Sequence, residues 1–265
     1  MLRKQYVDTA AGQLHLRSHN ARNEAAPVLL CLHPAPSSGL YFDTVLPLLN
    51  ENRNVFAPDY PGHGGSYPLD AQPDIDDYAD SMLALLDGLQ VNTPVDVLGF
   101  HTGCLVGAEM ALKAPARINH LVLCDVPYFD LDTQASLLTR AAQPMTLSDD
   151  IDSIAGAWKM NVPPRYTKMP DERVLAFLAE QLRCLGRDHF AFNAAFRYPC
   201  HARFSAVRTK TTVIATQSGL LDATRMAADV IPDATLREVL DITTAVFEVG
   251  ATRISEEVLA ALEAS

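Results

Sequence analysis

Val95-Asp96-Val97-Leu98-Gly99-Phe100-His101-Thr102-Gly103-Cys104 is the stretch that decides how this chain folds. Val95 to Gly99 is a short apolar run of the kind that makes a strand buried on both faces, and Cys104 to Lys113 reads as a helix closed by Pro115. Between them a strand must become a helix within a few residues, with a glycine two positions either side of His101. So sharp a turn needs small neighbours and accepts strain at its apex. His101 therefore stands where a strained main chain would aim a side chain into a pocket.

The same alternation extends outward. Pro27-Val28-Leu29-Leu30-Cys31-Leu32-His33 predicts a buried strand that runs into the loop Pro34-Ala35-Pro36-Ser37-Ser38-Gly39, and a helix follows around Val45 to Leu49. Asn54 to Pro58 predicts a second strand, broken by Asp59-Tyr60-Pro61-Gly62-His63-Gly64-Gly65-Ser66, a glycine-rich turn that would leave His63 in solvent. Residues 74–89 carry a helical stripe of Ile75, Tyr78, Met82, Leu85, Leu86 and Leu89, and Ile118 to Cys124 is the next strand. Strands alternating with helices imply parallel βαβ units, hence an α/β fold with a mostly parallel, doubly wound sheet whose ligands bind beyond the C-terminal ends of the strands.

From Val126 to about Ser205 the strand signal stops, and helical stretches at 149–160, 171–185 and 189–197 are separated by prolines. We read residues 127–205 as a helical cap inserted into a core made of 1–126 and 206–265. Strands return at 211–215 and 235–240, and a final helix is expected from 255 to 264, with Ser255 as its N-cap.

Three motifs in this order resemble the α/β-hydrolase superfamily over essentially the whole chain. His33-Pro34-Ala35-Pro36-Ser37-Ser38 is similar to the family's oxyanion loop, Asp59 to Ser66 to its Asp-x-Pro-Gly-x-Gly-x-Ser turn, and Gly99-Phe100-His101-Thr102-Gly103 to its nucleophile elbow, G-x-S-x-G. The resemblance implies the α/β-hydrolase fold and, by analogy, hydrolase chemistry. It also implies an oxyanion hole formed by the N–H groups of Ala35 and Thr102.

The triad implied by that family is broken. His101 replaces the serine, and none of the eight histidines lies after His201, whereas the family's catalytic histidine would fall near Val246 to Gly250. The acid expected after Ala215 has only Asp222 to offer, already in the following helix. Chemistry through an acyl-serine is therefore not expected.

What remains points to His101 as a general base, because imidazole is suited to proton transfer near neutral pH. Asp125, at the end of the strand beside the elbow strand, has two readings: a partner that orients His101, or a cap for the loop before Pro127. His33 braces the oxyanion loop or lines the pocket, together with Ser37, Tyr41, Tyr128, Phe129, Trp158 and Phe192 as candidate lining. Cys104 packs as a core residue. Two functions stay open. One is a cofactor-independent enzyme acting on a small, partly apolar carbonyl compound, by hydrolysis or by a lyase-, isomerase- or cyclase-type proton transfer. The other is a pseudoenzyme of the same fold that only binds. A carboxylate on the far nitrogen of His101, in an accessible pocket, would favour the enzyme.

Composition narrows the partners to a small molecule. The chain has 265 residues, 48% hydrophobic, with a formal charge of −11, and has no block of lysine and arginine. Such a charge repels nucleic acid and anionic lipid. No run of 18 apolar residues is present, and the first residues lack the apolar core of a signal peptide, so a cytoplasmic location is expected. Five scattered cysteines suit reduced buried thiols better than disulfides or a zinc site, and neither a metal nor an organic cofactor is called for. The oligomeric state stays open, a homodimer included.

Overall fold

A computed structural model describes the whole chain except residues 22, 24, 141, 142, 185 and 265. In chain order it contains β1 (Arg3–Thr9), β2 (Gly12–His19), β3 (Val28–Leu32), α1 (Leu46–Leu49), β4 (Asn54–Pro58), α2 (Ile75–Gly88), β5 (Val95–Phe100), α3 (Thr102–Lys113) and β6 (Ile118–Cys124). Five helices follow: α4 (Leu131–Arg140), α5 (Ala155–Asn161), α6 (Asp171–Arg183), α7 (His189–Arg197) and α8 (Cys200–Phe204). The chain ends with β7 (Lys210–Thr216), α9 (Leu221–Val230), β8 (Thr235–Val239) and α10 (Ala251–Glu263).

The eight strands form one sheet in the order β1-β2-β4-β3-β5-β6-β7-β8. From β4 to β8 every pairing is parallel, and β1 and β2 add an antiparallel edge. The strand periodicity of two sends successive side chains to opposite faces, and both faces are covered. Leu30, Leu32, Val97, Leu121, Leu123 and Val213 pack toward α2 and α3, in a cluster with Tyr78, Met82, Leu85 and Val106. Leu29, Cys31, Leu98, Phe100, Val122 and Ile214 pack on the other face with Leu46, Ile254, Val258 and Ala261. All five cysteines are buried and unpaired. Among the described residues no helix is long and apolar enough to cross a membrane.

Three local expectations change. The β1–β2 hairpin was not expected, because β1 is an edge strand whose residues are polar and mostly exposed and only Val7 of it is buried, so no apolar alternation marks it. The last helix starts at Ala251 rather than Ser255, because its buried stripe of Ala251, Ile254, Val258 and Ala261 extends one turn upstream of the serine. Ser255 is thus an interior, buried residue. His63 is buried as well, with its Nδ1 3.0 Å from the Pro61 carbonyl oxygen, because the glycine turn folds back against Tyr60 and Tyr78. Of the expected helix at 171–185, α6 covers 171–183, and residue 185 lies outside the described residues.

The helices between β6 and β7 attach in two ways. α7 and α8 contribute Ala191, Ala194, Phe196 and Phe204 to the large core cluster. α5 and α6 form a smaller cluster of their own, Ala157, Val162, Val174, Phe177 and Leu178, seated on Leu40 just after the β3 loop.

Candidate active site

β5 ends at Phe100, and His101 follows with φ 50° and ψ −116°, a region that non-glycine residues rarely enter. The turn is as tight as the sequence demanded. A Cβ on Gly99 would lie 2.6 Å from the Gly103 carbonyl oxygen, and one on Gly103 would overlap the Leu32 carbonyl of β3. Glycine at both positions therefore lets the main chain of α3 meet the sheet directly. The His101 N–H donates to the Cys124 carbonyl at 3.2 Å, which continues the sheet pairing one residue beyond the strand.

The His101 ring stacks on Phe100, centroid to centroid 4.0 Å at 30°. Neither of its nitrogens has a hydrogen-bond partner among the described residues. Burial pushes its pKa down, and the nearby charge of Asp125 pulls it up; the balance lies at about 4, so the ring is neutral at pH 7. The pairing expected between these two residues is not a hydrogen bond. Asp125 is fully buried with φ 50°, and both carboxylate oxygens are taken: the Thr216 N–H donates to Oδ1 at 2.8 Å and the Thr216 hydroxyl to Oδ2 at 2.6 Å. Thr216 ends β7, the strand beside β6, so the neighbouring strand end supplies donors that outcompete the imidazole. Asp125 acts on His101 through its charge.

The two candidate oxyanion donors are uncommitted. The N–H groups of Thr102, the first residue of α3, and of Ala35, in the partly buried loop after β3, have no acceptor among the described residues. That loop is braced from behind. His33 is fully buried, its Nδ1 2.9 Å from the Pro34 carbonyl oxygen while Nε2 accepts from the Tyr60 N–H at 3.1 Å, and burial, with His63 adding to it, holds its pKa down at about 3. Asp59 ties the next turn to it: its carboxylate accepts from the Gly39 N–H at 2.8 Å and the Gly65 N–H at 2.8 Å and meets His15 Nδ1 at 2.7 Å. Burial pushes Asp59 up, but these donors outweigh it and its pKa is lowered.

Of the other candidates, Tyr41 joins His101 through Phe100, its ring 5.3 Å from Phe100 and 5.1 Å from Phe177 of α6. Ser37 is buried, its hydroxyl without a partner among the described residues. Tyr128, Phe129 and Phe192 instead pack with Phe196 and Phe204, and the Tyr128 hydroxyl meets His201 Nδ1 at 3.1 Å. Trp158 is half-exposed and lines an outer cavity of about 510 Å³ with Tyr166, Val174 and Leu175. Cys104 is a core thiol, fully buried, with Sγ 3.2 Å from the Cys124 carbonyl oxygen; burial raises its pKa well above the usual range.

Residues that sequence reasoning missed close the site. The loop after β8, where a triad histidine would sit, carries Glu248, whose Oε1 accepts from Arg173 Nε at 2.9 Å and Nη2 at 2.5 Å and whose Oε2 accepts from the Thr44 hydroxyl at 2.7 Å. Arg173 Nη2 also donates to the Leu40 carbonyl at 2.6 Å. This loop is thus a brace between α6 and the core. Phe100, Tyr41 and Phe247 form an aromatic layer beneath His101.

The comparisons with known proteins agree with the fold that carries this site. A family model described as alpha/beta hydrolase fold matches residues 27–172, more than half of the chain. A pimeloyl-[acyl-carrier protein] methyl ester esterase of Neisseria meningitidis serogroup C is 33% identical over 108 residues, which cover 40% of each chain, so the likeness spans about two fifths of that relative's length. A hydrolase from Pseudomonas aeruginosa PA01 superposes with a TM-score of 0.81 at 23% identity over 98% of both chains. The enol-lactonase of Burkholderia xenovorans LB400 superposes with 0.79 at 17% identity, covering 97% of this chain and 99% of its own. At these identities the two structures speak for the fold alone, and with the family match they establish that this chain belongs to the α/β hydrolase fold family.

Proposed function

We propose that the chain is a cofactor-independent hydrolase of small, partly apolar carbonyl compounds in which His101 activates water directly. The observation that carries this reading is a neutral imidazole, free at both nitrogens, held on the strained apex of an intact elbow beside two uncommitted N–H donors. Holding a non-glycine residue at that φ costs about 1–3 kcal/mol. A ring that merely filled space would gain nothing from the strain.

In this mechanism water donates to His101 and attacks the carbonyl, the N–H groups of Ala35 and Thr102 receive the developing oxyanion, and the buried charge of Asp125 stabilises the imidazolium as it forms. A strongly depressed base is a poor proton acceptor but a ready donor once protonated, which suits return of the proton to a leaving alkoxide. Residues 127–205 act as a cap that excludes water from the site. A sequence relative that carries the name of an esterase favours hydrolysis over lyase, isomerase or cyclase chemistry.

The second reading is a protein that binds without turnover. It is favoured by Asp125, whose carboxylate is spent on Thr216 and does not orient the His101 ring. Steady-state rates on a panel of small methyl esters and lactones separate the two. Under the first reading His101→Ala and His101→Ser both lose about a hundredfold or more, the usual share of a positioned base. Unchanged rates in His101→Ala would remove His101 from the mechanism, and wild-type binding without turnover would establish the second reading.

A further inference from the structure

Arg165 is a partly buried cation with no carboxylate partner among the described residues. Arg3, Arg140, Arg187 and Arg208 also lack an ion pair among the described residues, but all four are exposed. The other described arginines are all paired, in a chain with 32 acidic residues. A buried fixed charge left without a counterion is costly, so such a charge persists where something offsets it.

Its surroundings locate what it awaits. The guanidinium lies 4.7 Å over the Phe177 ring, and Nη1 donates to the main-chain carbonyls of Met160 and Asn161 at 3.2 and 3.0 Å. The Tyr41 ring packs against the same Phe177 ring, centroids 5.1 Å apart. Tyr41 packs in turn on Phe100, on which His101 is stacked, so a chain of three ring contacts joins the Phe177 ring under Arg165 to the apex of the elbow. The contrast with Arg173 is instructive. Its guanidinium is 4.8 Å over the same Phe177 ring but is fully committed to Glu248 and the Leu40 carbonyl.

We propose that Arg165, with the Tyr41 hydroxyl, receives a carboxylate carried by the ligand of the His101 site, so that the substrates are small acids bearing an ester or lactone carbonyl a short chain away. This rests on the reading of His101 as the centre of a ligand site. The planar guanidinium fork is matched to a carboxylate, and its stacking on Phe177 fixes the plane in which that carboxylate must lie.

Calorimetric titration of the intact protein with monomethyl succinate and with dimethyl succinate tests the assignment. Wild type should bind the monoacid about tenfold or more tightly than the neutral diester, the scale of one charge-assisted contact. Arg165→Gln should lose that preference while keeping its affinity for the diester, and Arg165→Lys should retain part of it. His101→Ala should keep the preference whole, which separates failure of this assignment from failure of the catalytic reading. An Arg165→Gln protein that binds the monoacid as wild type does would overturn the proposal, as would a wild type that does not prefer the monoacid or binds neither probe at millimolar concentration. If Arg165→Gln does not fold, Arg165→Lys decides: an undiminished preference there is equally fatal.

Discussion

Removing the Thr216 hydroxyl tests how Asp125 acts on His101. In the native site the hydroxyl donates to Oδ2 of a fully buried carboxylate at 2.6 Å, and the Thr216 N–H keeps Oδ1. Thr216→Val deletes the first donor and leaves the second. An orphaned charged acceptor in that position costs about 1.5–3 kcal/mol, measurable by urea unfolding, unless another donor replaces the hydroxyl. The His101 ring, free at both nitrogens, is the group available. If it turns its N–H onto Oδ2, part of the loss is recovered and the imidazolium gains a direct partner, so the His101 pKa should rise from about 4 by about 1–2. Asp125→Asn works in the opposite direction: with the charge that raises His101 removed, burial alone acts and the pKa falls below its native value. The assay is an NMR titration of the His101 ring carbon resonance, assigned by its loss in His101→Ala. One midpoint shared by wild type, Thr216→Val and Asp125→Asn would refute any coupling between carboxylate and ring, and with it the role given to Asp125.

A serine-directed fluorophosphonate should leave the protein unlabelled, because the apex carries an imidazole and no histidine follows residue 201; mass spectrometry showing stoichiometric adduct on any serine would contradict this. Stability should fall in acid. The His33 pKa is depressed from its ordinary 6.5 to about 3, so its contribution is whole above pH 6.5 and is lost as pH falls toward 3, by up to about 1.4 kcal/mol per pH unit, and the lowered Asp59 carboxyl adds a loss below its ordinary 3.8. A urea midpoint that is the same at pH 7 and pH 4.5 would refute it. Hydrogen exchange should be faster in residues 127–205 than in β3, β5 and β6, because α5 and α6 rest on a small cluster of their own; equal protection would argue against a mobile cap.

The strands from β3 to β7 were legible because each is almost wholly buried and so reads as a largely apolar run, whereas β8, an edge strand of which only Val239 is buried, carries no such run. β1 and β2 were not legible, since an edge hairpin with polar residues carries no such mark. The place of His101 at the apex was legible for a related reason: main-chain geometry dictates it, and the glycines that permit the geometry stand in the sequence. The side-chain partnerships around it were not. Thr216 reaches Asp125 only through the register of β6 with β7, in which Cys124 faces Ile214. Arg173 reaches Glu248 across a separation of more than 70 residues that no local pattern encodes.

The contact between Gly103 and the Leu32 carbonyl has a mechanical meaning. Thr102 precedes that glycine, and Ala35 lies three residues beyond Leu32, so the spacing of the two N–H donors is gauged by main chain bearing on main chain. The bearing surface at Gly103 is main chain, and the His33 and Asp59 side chains hold the loop on its far side. The apex residue sits outside that bearing surface. A change of side chain at the apex therefore leaves the contact of α3 with β3 as it is, as a tool is changed in a fixed jig.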